Sequence, residues 1–155
     1  LVIFYLMRAQ FLNSVVDLQK GVPKYSITNW DCRFSRDSQS YVKTKLSPSG
    51  FEMLTNFFTF YGNFQYRSIV LCPLTGGLIP RKQFEELKLP GAFRPYTEKI
   101  AHSSNAERLR VATPICLQDP FDLAHNITKG VSRKDLQKFK KLCCQSANCC
   151  RNSTR

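Results

Sequence analysis

The sequence predicts an α+β fold that is mainly helical and contains a small antiparallel sheet. Three observations lead to this prediction: apolar residues at helical spacing in three segments, two capping-box patterns at helix starts, and short apolar runs bounded by turn residues. The chain has 155 residues, of which 43% are hydrophobic. This length and composition are enough for one domain with its own core.

The first predicted helix covers residues 1 to about 19, where the side chains are apolar on all faces at first and then on one face only. Gly21 and Pro23 end this helix, since neither residue continues a helix well. Residues 22–48 are predicted to be irregular, with the segment Asn29-Trp30-Asp31-Cys32 at their centre.

The second predicted helix begins after Ser49, because Ser49 and Glu52 have the spacing at which each side chain can satisfy a free amide of the first turn. Aromatic residues at helical spacing follow, and Gly62 is predicted to end the helix. The last helix opens at Ser132, with Asp135 in the same capping position.

The predicted sheet pairs residues 65–71 with residues 115–118, two short runs rich in strand-forming side chains. Residues 72–114 join them as a long loop, with a short helix at residues 84–87 inside it. A connection of this length is either a functional loop or disordered.

The chain is strongly basic, with 23 Lys and Arg against 11 Asp and Glu and a formal net charge of +12. Such a charge favours polyanionic partners such as RNA, DNA or acidic membranes, although a solvated basic surface has the same composition. Arg8 interrupts the apolar start of the chain far short of a membrane span of about 20 residues, so no membrane partner is predicted.

Two Cys-Cys pairs, Cys143-Cys144 and Cys149-Cys150, lie near the end of a chain with seven cysteines. The odd number and the chain length are atypical of a secreted disulfide scaffold, so we expect reduced thiols in an intracellular protein. A zinc site is one interpretation of the pairs. The alternative is that Cys143 and Cys150 lie on the apolar stripe of the last helix, where thiols act as small hydrophobic side chains.

Polar residues are most crowded between positions 119 and 126. Asp119, Asp122, His125 and Asn126 fall within eight residues, between a predicted strand and a predicted helix. Either a ligand site or a structural loop fits this pattern. The sequence contains no Asp-x-Asp pair that could hold two divalent ions, and we predict no metal ligands and no catalytic residues in this chain.

The stretch Leu117-Gln118-Asp119-Pro120-Phe121-Asp122-Leu123-Ala124-His125-Asn126 resembles the motif near the end of the poly(A)-polymerase-associated domain. That domain occurs in terminal uridylyltransferases and non-standard poly(A) polymerases. Residues 1–5, 29–34 and 54–64 resemble further segments of the same family. The resemblance covers nearly the whole chain, except residues 72–114 and the last few residues.

The resemblance implies that residues 1–150 form the central domain of an RNA 3′-terminal nucleotidyltransferase, followed by a basic tail at residues 151–155. The family's catalytic carboxylates and its base-stacking aromatic residue lie upstream, in an N-terminal catalytic domain that this chain lacks. Mg²⁺ or Mn²⁺ would bind there, outside this chain, with UTP or ATP as the substrate. We therefore expect no transferase activity from this chain alone.

The resemblance also implies roles for the polar loop. Uridylyltransferases of the family carry His at the position of His125, which would select the base, while Asp119 and Asp122 would bind the base or fix the loop. Asn126 is placed with these base-binding residues, or holds the loop backbone. The expected partners are an RNA 3′ end, a nucleoside triphosphate and the catalytic domain. The expected location is the nucleus or else the cytoplasm.

A basic face on the last helix also favours RNA binding. Lys134, Lys138 and Lys141 recur there at helical spacing, and Lys129 lies where some family members carry a phosphate-contacting Arg. Four functions therefore stay open: part of a uridylyltransferase, part of an ATP-using poly(A) polymerase, a non-catalytic RNA-binding module, or an inert product that folds poorly.

Overall fold

The computed structural model describes residues 1–44 and 48–152 and confirms a mainly helical α+β fold with small antiparallel sheets. The helices of these residues are α1 (Val2–Arg8), α2 (Val15–Gln19), α3 (Gly50–Asn63), α4 (Arg81–Glu85), α5 (Arg94–His102) and α6 (Arg133–Asn152), with 3₁₀ turns at Ser38–Tyr41 and Gly91–Phe93. The strands are β1 (Ser26–Ile27) with β2 (Trp30–Asp31), and β3 (Ile69–Cys72) with β4 (Gly77–Pro80).

The single helix predicted over residues 1–19 is wrong, because the chain breaks between α1 and α2. Gln10 has a φ of 65°, a left-handed conformation that cannot continue a helix. The hydroxyl oxygen of Ser14 then caps α2 by accepting a hydrogen bond from the backbone N–H of Asp17, at 3.3 Å. Ser14 therefore starts a new helix within residues 1–19, which the apolar pattern had indicated as a single helix.

Helix α3 begins as predicted and ends at Asn63, one residue after Gly62. Ser49 caps it by accepting from the N–H of Glu52 at 3.1 Å. Gly62 lies in the last turn of the helix, where an added Cβ would be 2.9 Å from the sulfur of Cys144 on α6. The residue that we interpreted as a helix breaker is therefore the position at which the two helices approach each other closely.

The predicted pairing of residues 65–71 with residues 115–118 as an antiparallel sheet is also wrong. Strand β3 pairs antiparallel with β4, with Val70 opposite Ile79. Residues 115–118 lie on the other edge of β3 in the parallel direction, through a single bridge between Leu71 and Leu117. The physical reason is the tight turn between β3 and β4, where Gly76 adopts a φ of 65° and lets the chain fold back at once.

Residues 72–114 are not the long loop or disordered segment that the sequence predicts. They contain β4, α4, the 3₁₀ turn at Gly91–Phe93 and α5. The short helix predicted at residues 84–87 corresponds to α4, which lies slightly earlier. Phe84, Phe93 and Tyr96 are buried in this segment, and their aromatic contacts build it into the core.

Strand β3 separates two hydrophobic clusters. Val70 and Cys72 face one cluster with Trp30 and Phe84, while Leu71 faces a second cluster. The second cluster consists mainly of aromatic side chains of α1 and α3 together with residues of α6. This alternation follows from the two-residue period of a strand that is buried on both faces.

Helix α6 begins where the sequence predicts. The N–H of Asp135 donates to the hydroxyl of Ser132 and the N–H of Ser132 donates to the carboxylate of Asp135, each at 3.1 Å. The helix buries Cys143 and Ala147 against α3, and Cys150 is half-buried. Of the predicted tail at residues 151–155, the first two residues belong to α6 and residues 153–155 lie outside the described part of the chain.

Candidate nucleotide-base site

Residues 119–125 form a narrow loop whose two ends are tied together by the backbone. The N–H of Asp119 donates to the carbonyl of His125 at 2.9 Å, and the N–H of Ile127 donates to the carbonyl of Leu117 at 2.9 Å. Leu117 is itself bridged to Leu71 of β3. The loop is therefore fixed to the centre of the domain at both of its ends.

Asp119 and Asp122 shape this loop from inside. One carboxylate oxygen of Asp119 accepts hydrogen bonds from the N–H groups of Phe121 and Asp122, at 2.9 and 3.2 Å. The carboxylate of Asp122 accepts from the N–H of Ala124 at 3.2 Å. Both aspartates thus satisfy loop amides in the manner of Asx turns. Each is only partly buried, which leaves carboxylate surface open to solvent.

The ring of His125 lies beside the second carboxylate oxygen of Asp119. The distance from Nδ1 of His125 to this oxygen is 3.4 Å, and the His125 side chain remains 39% exposed. Because a carboxylate only accepts hydrogen bonds, this contact favours a proton on Nδ1. Nε2 is then available to a ligand: it accepts when the ring is neutral and donates when the ring is an imidazolium.

Asn126 has a different role from the other three polar residues. Its side chain is 1% exposed. The oxygen accepts from the N–H groups of Leu117 and Thr128, and the amide donates to the carbonyl of Arg110 and the hydroxyl of Thr113. With its hydrogen-bonding groups used internally, Asn126 holds the loop backbone, which is the second of the two roles expected of it.

The segment around Trp30 lies against the same loop, a contact that sequence reasoning missed. The thiol of Cys32 is 3.8 Å from the carbonyl oxygen of Phe121, and the Phe34 and Phe121 rings are 5.9 Å apart between centroids. Phe34 is 41% exposed. The sequence marked both segments as motifs but offered no signal that they meet, because they are about ninety residues apart.

The four lysines proposed from the sequence are all exposed and lie on or near α6. Lys134, Lys138 and Lys141 share the solvent face of this helix, and Lys129 lies just before it. In residues 1–44 and 48–152, no three His, Cys, Asp or Glu side chains come together to hold a metal ion.

Comparison with known families matches residues 52–125 to the family described as Cid1 family poly A polymerase. The matched segment runs from α3 to the end of the polar loop and includes His125. This chain carries a Cid1-family poly(A)-polymerase-associated domain. No helix among the described residues of the domain is long and apolar enough to cross a membrane.

The Cid1-family domain also resembles several curated proteins, each named speckle targeted PIP5K1A-regulated poly(A) polymerase. The identity is 28% to the zebrafish (Danio rerio) protein over 98% of this chain and 30% to the Xenopus tropicalis protein over 81%. The chain spans only 19% and 13% of the lengths of these two relatives. The resemblance stated from the sequence is therefore confirmed, and it covers one part of each of these longer relatives.

Solved structures show the same fold at low sequence identity. A crystal structure of mtPAP in complex with UTP superimposes with a TM-score of 0.70 at 20% identity, over 96% of this chain and 28% of that protein. A structure of Cid1, described with RNA terminal uridylyl transferase activity, gives 0.68 at 18% identity, over 97% of this chain and 42% of Cid1. The fold of the Cid1-family domain therefore extends beyond the residues matched to the family.

Proposed function

We propose that this domain is the base-reading and RNA-binding part of an RNA 3′-terminal nucleotidyltransferase that adds uridylates. The observation that carries the proposal is the half-exposed ring of His125, held at Nδ1 by Asp119 on a loop fixed to β3. A histidine in this setting presents one nitrogen to an incoming base in a constant orientation. Family membership and the RNA terminal uridylyl transferase activity described for Cid1 support nucleotide transfer as the chemistry.

Uracil and adenine present opposite groups to this nitrogen. Uracil O4 accepts a hydrogen bond, whereas the adenine 6-amino group donates one. Since Asp119 engages Nδ1, the imidazolium form of His125 donates from Nε2 to uracil O4 and keeps its carboxylate partner. The same form opposes the adenine amine donor to donor, and leaving a buried group unpaired costs about 1–3 kcal/mol. We therefore expect a preference for UTP of about ten- to hundredfold.

The remaining polar residues support this reading in separate ways. Asp119 orients His125, Asp122 shapes the loop and retains carboxylate surface for a base N–H, and Asn126 anchors the loop to the strand before it. The transfer reaction itself belongs to a catalytic domain outside this chain, with its carboxylates and divalent metal. This division agrees with the small share of the relatives' length that the chain spans.

RNA binding is the second part of the proposal. The net charge of +12 and the exposed Lys129, Lys134, Lys138 and Lys141 provide a surface for the phosphate backbone. A nuclear location is part of the proposal, and it is supported by the relatives that are named as speckle targeted.

Kinetics of the complete protein test the role of His125. His125→Ala should lower the ratio of kcat/KM for UTP to that for ATP by about ten- to hundredfold. Asp119→Asn keeps an oxygen for the loop amides but removes the charge beside the ring, so it should lower the ratio by a smaller factor of about three.

The matched control is His102→Ala, because His102 is exposed on α5 and its ring is hydrogen-bonded to the carbonyl of Glu98 on the same helix. This variant should keep the wild-type ratio. An unchanged UTP to ATP ratio in His125→Ala would remove the base-selecting role, whatever the overall activity of the variant.

An ATP-using poly(A) polymerase is the second candidate function. It is favoured by the names of the curated relatives and by the Nδ1 contact, because a neutral ring protonated at Nδ1 accepts at Nε2 and so matches the adenine amine. In that case wild-type protein prefers ATP, and His125→Ala lowers the ATP rate instead. The same kinetic series therefore separates the two candidates.

A further inference from the structure

An open cleft of about 880 Å³ lies between the end of α3, the start of β3 and the first turns of α6. We call it the basic cleft, because its charged lining residues are Arg67, Arg81, Arg133 and Lys140 and none of its lining residues is acidic. None of the four cations pairs with a carboxylate within 4.0 Å among residues 1–44 and 48–152. The basic cleft thus collects positive charge with no carboxylate among its lining residues.

Arg81 is the most enclosed of these cations. Its guanidinium donates to the carbonyl of Tyr66 and, at 3.5 Å, to that of Pro114, so it holds two walls of the cleft together. Its Nε is buried and has no hydrogen-bond partner among the described residues. Burial lowers the pKa of the Arg81 guanidinium, with a partial opposing effect from Cys116 and Glu85. An anion in the cleft would compensate this desolvated charge.

The basic cleft is distinct from the lysine face of α6. Arg133, Gln137 and Lys140 follow each other at i, i+4 and i+7 and line the cleft. The lysines proposed from the sequence begin at Lys134 and keep the same spacing, one position further round the helix. The two rows therefore face directions about 100° apart, and only the cleft row meets cations from a second element.

The rings that line the basic cleft offer no surface for stacking. Phe64 and Tyr66 are only 8% and 3% exposed, and Lys140 lies 5.8 Å from the centre of the Tyr66 ring. Without an exposed aromatic face a base has nothing to stack on, whereas phosphate oxygens have several cationic donors. The chemistry of the cleft therefore suits a phosphodiester backbone rather than a nucleobase.

We propose that the basic cleft binds the phosphate backbone of single-stranded RNA without reading its bases. This inference rests on the proposed function, since it assigns part of the RNA path that a terminal nucleotidyltransferase needs. In this proposal Arg67, Arg133 and Lys140 contact the phosphates. Arg81 holds the cleft walls together and contributes positive charge to the cleft.

Binding of labelled oligouridylate and oligoadenylate of about 15 nucleotides to the 155-residue chain tests the proposal by fluorescence anisotropy. The triple variant R67Q/R133Q/K140Q should bind both RNAs at least tenfold more weakly. Its slope of log affinity against log salt should flatten by about two, since each lost single-strand phosphate contact contributes about 0.7. Arg81 stays intact, so that the carbonyl contacts of the walls are kept.

The matched control K24Q/R36Q/K43Q removes the same charge from exposed residues that do not line the cleft. It should lose about twofold in affinity, through the general field alone. Equal losses in the two triple variants would overturn the proposal, and so would a loss confined to one of the two RNAs. Circular dichroism and melting show whether each variant is folded. If the cleft triple variant unfolds, R133Q and K140Q are measured singly. Each should then bind RNA more weakly than wild type, and wild-type affinity in either one would overturn the proposal.

This measurement uses no nucleoside triphosphate, so it is independent of the His125 kinetics. If the cleft variant binds RNA like wild type while His125 is shown to set the UTP preference, the proposal for the basic cleft is wrong and the proposal for the base site is kept. If the cleft variant binds RNA more weakly while His125→Ala keeps the wild-type UTP to ATP ratio, the proposal for the cleft is kept and the proposal for the base site is wrong.

Discussion

The role of the Asn126 side chain is set by backbone that lies far from it in the sequence. The sequence groups it with Asp119, Asp122 and His125, and all four are polar residues of one motif. In the structure it is the only one of the four that is buried, because the backbone around Arg110 returns to meet its side-chain amide. The motif and both possible roles of Asn126 could therefore be predicted from the sequence, but the choice between the two roles needed the contacts with residues far along the chain.

Asn126→Ala should lower the free energy of unfolding by about 2–4 kcal/mol, because it leaves buried N–H and carbonyl groups of the backbone without partners. Chemical denaturation of the chain measures this change. Asn105→Ala, at an exposed position in the turn after α5, is the control and should change stability by less than about 0.5 kcal/mol. Equal stability of Asn126→Ala and wild type would mean that the loop is held in another way.

At the scale of elements, local signals predicted helix starts better than strand pairing. The capping hydrogen bonds of α3 and α6 involve residues three positions apart, so the sequence displays them directly. The partner of β3 depends instead on whether the chain turns at Gly76, and the run 115–118 matched β3 equally well by composition. Both runs do lie beside β3, on opposite edges.

Gly62 gives an element-scale test of the contact between α3 and α6. Gly62→Ala places a Cβ 2.9 Å from the sulfur and 3.3 Å from the backbone nitrogen of Cys144, so it should destabilise the chain by about 1–3 kcal/mol. Gly50→Ala, in the first turn of the same helix and with nothing within 4 Å of the new Cβ, should be neutral or slightly stabilising.

A double variant makes the same test independent of helix propensity. Combining Gly62→Ala with Cys144→Ala removes the sulfur and should recover part of the loss, giving a coupling energy of about 1 kcal/mol in a double-mutant cycle. Strict additivity of the two substitutions in thermal or denaturant unfolding would show that the sulfur of Cys144 is not the atom that a Cβ at position 62 meets.

At the scale of the whole molecule, the composition predicted a basic domain with its own core but not how the core is divided. β3 is buried on both faces and separates two clusters, which is why a four-residue strand positions the loop of His125 so firmly. Residues 72–114 resisted prediction because their elements are short and are held mainly by Phe84, Phe93 and Tyr96 packing onto the first cluster. The basic cleft could not be predicted from the sequence either, because its cations come from three separate segments of the chain.

The central claim is that His125 reads the base edge of a bound nucleotide. A crystal structure of the complete protein with UTP bound tests it most directly. We expect Nε2 of His125 within about 3.2 Å of uracil O4, with Asp119 still beside Nδ1. A uracil ring held by other residues, with the His125 ring turned away from it, would contradict the account.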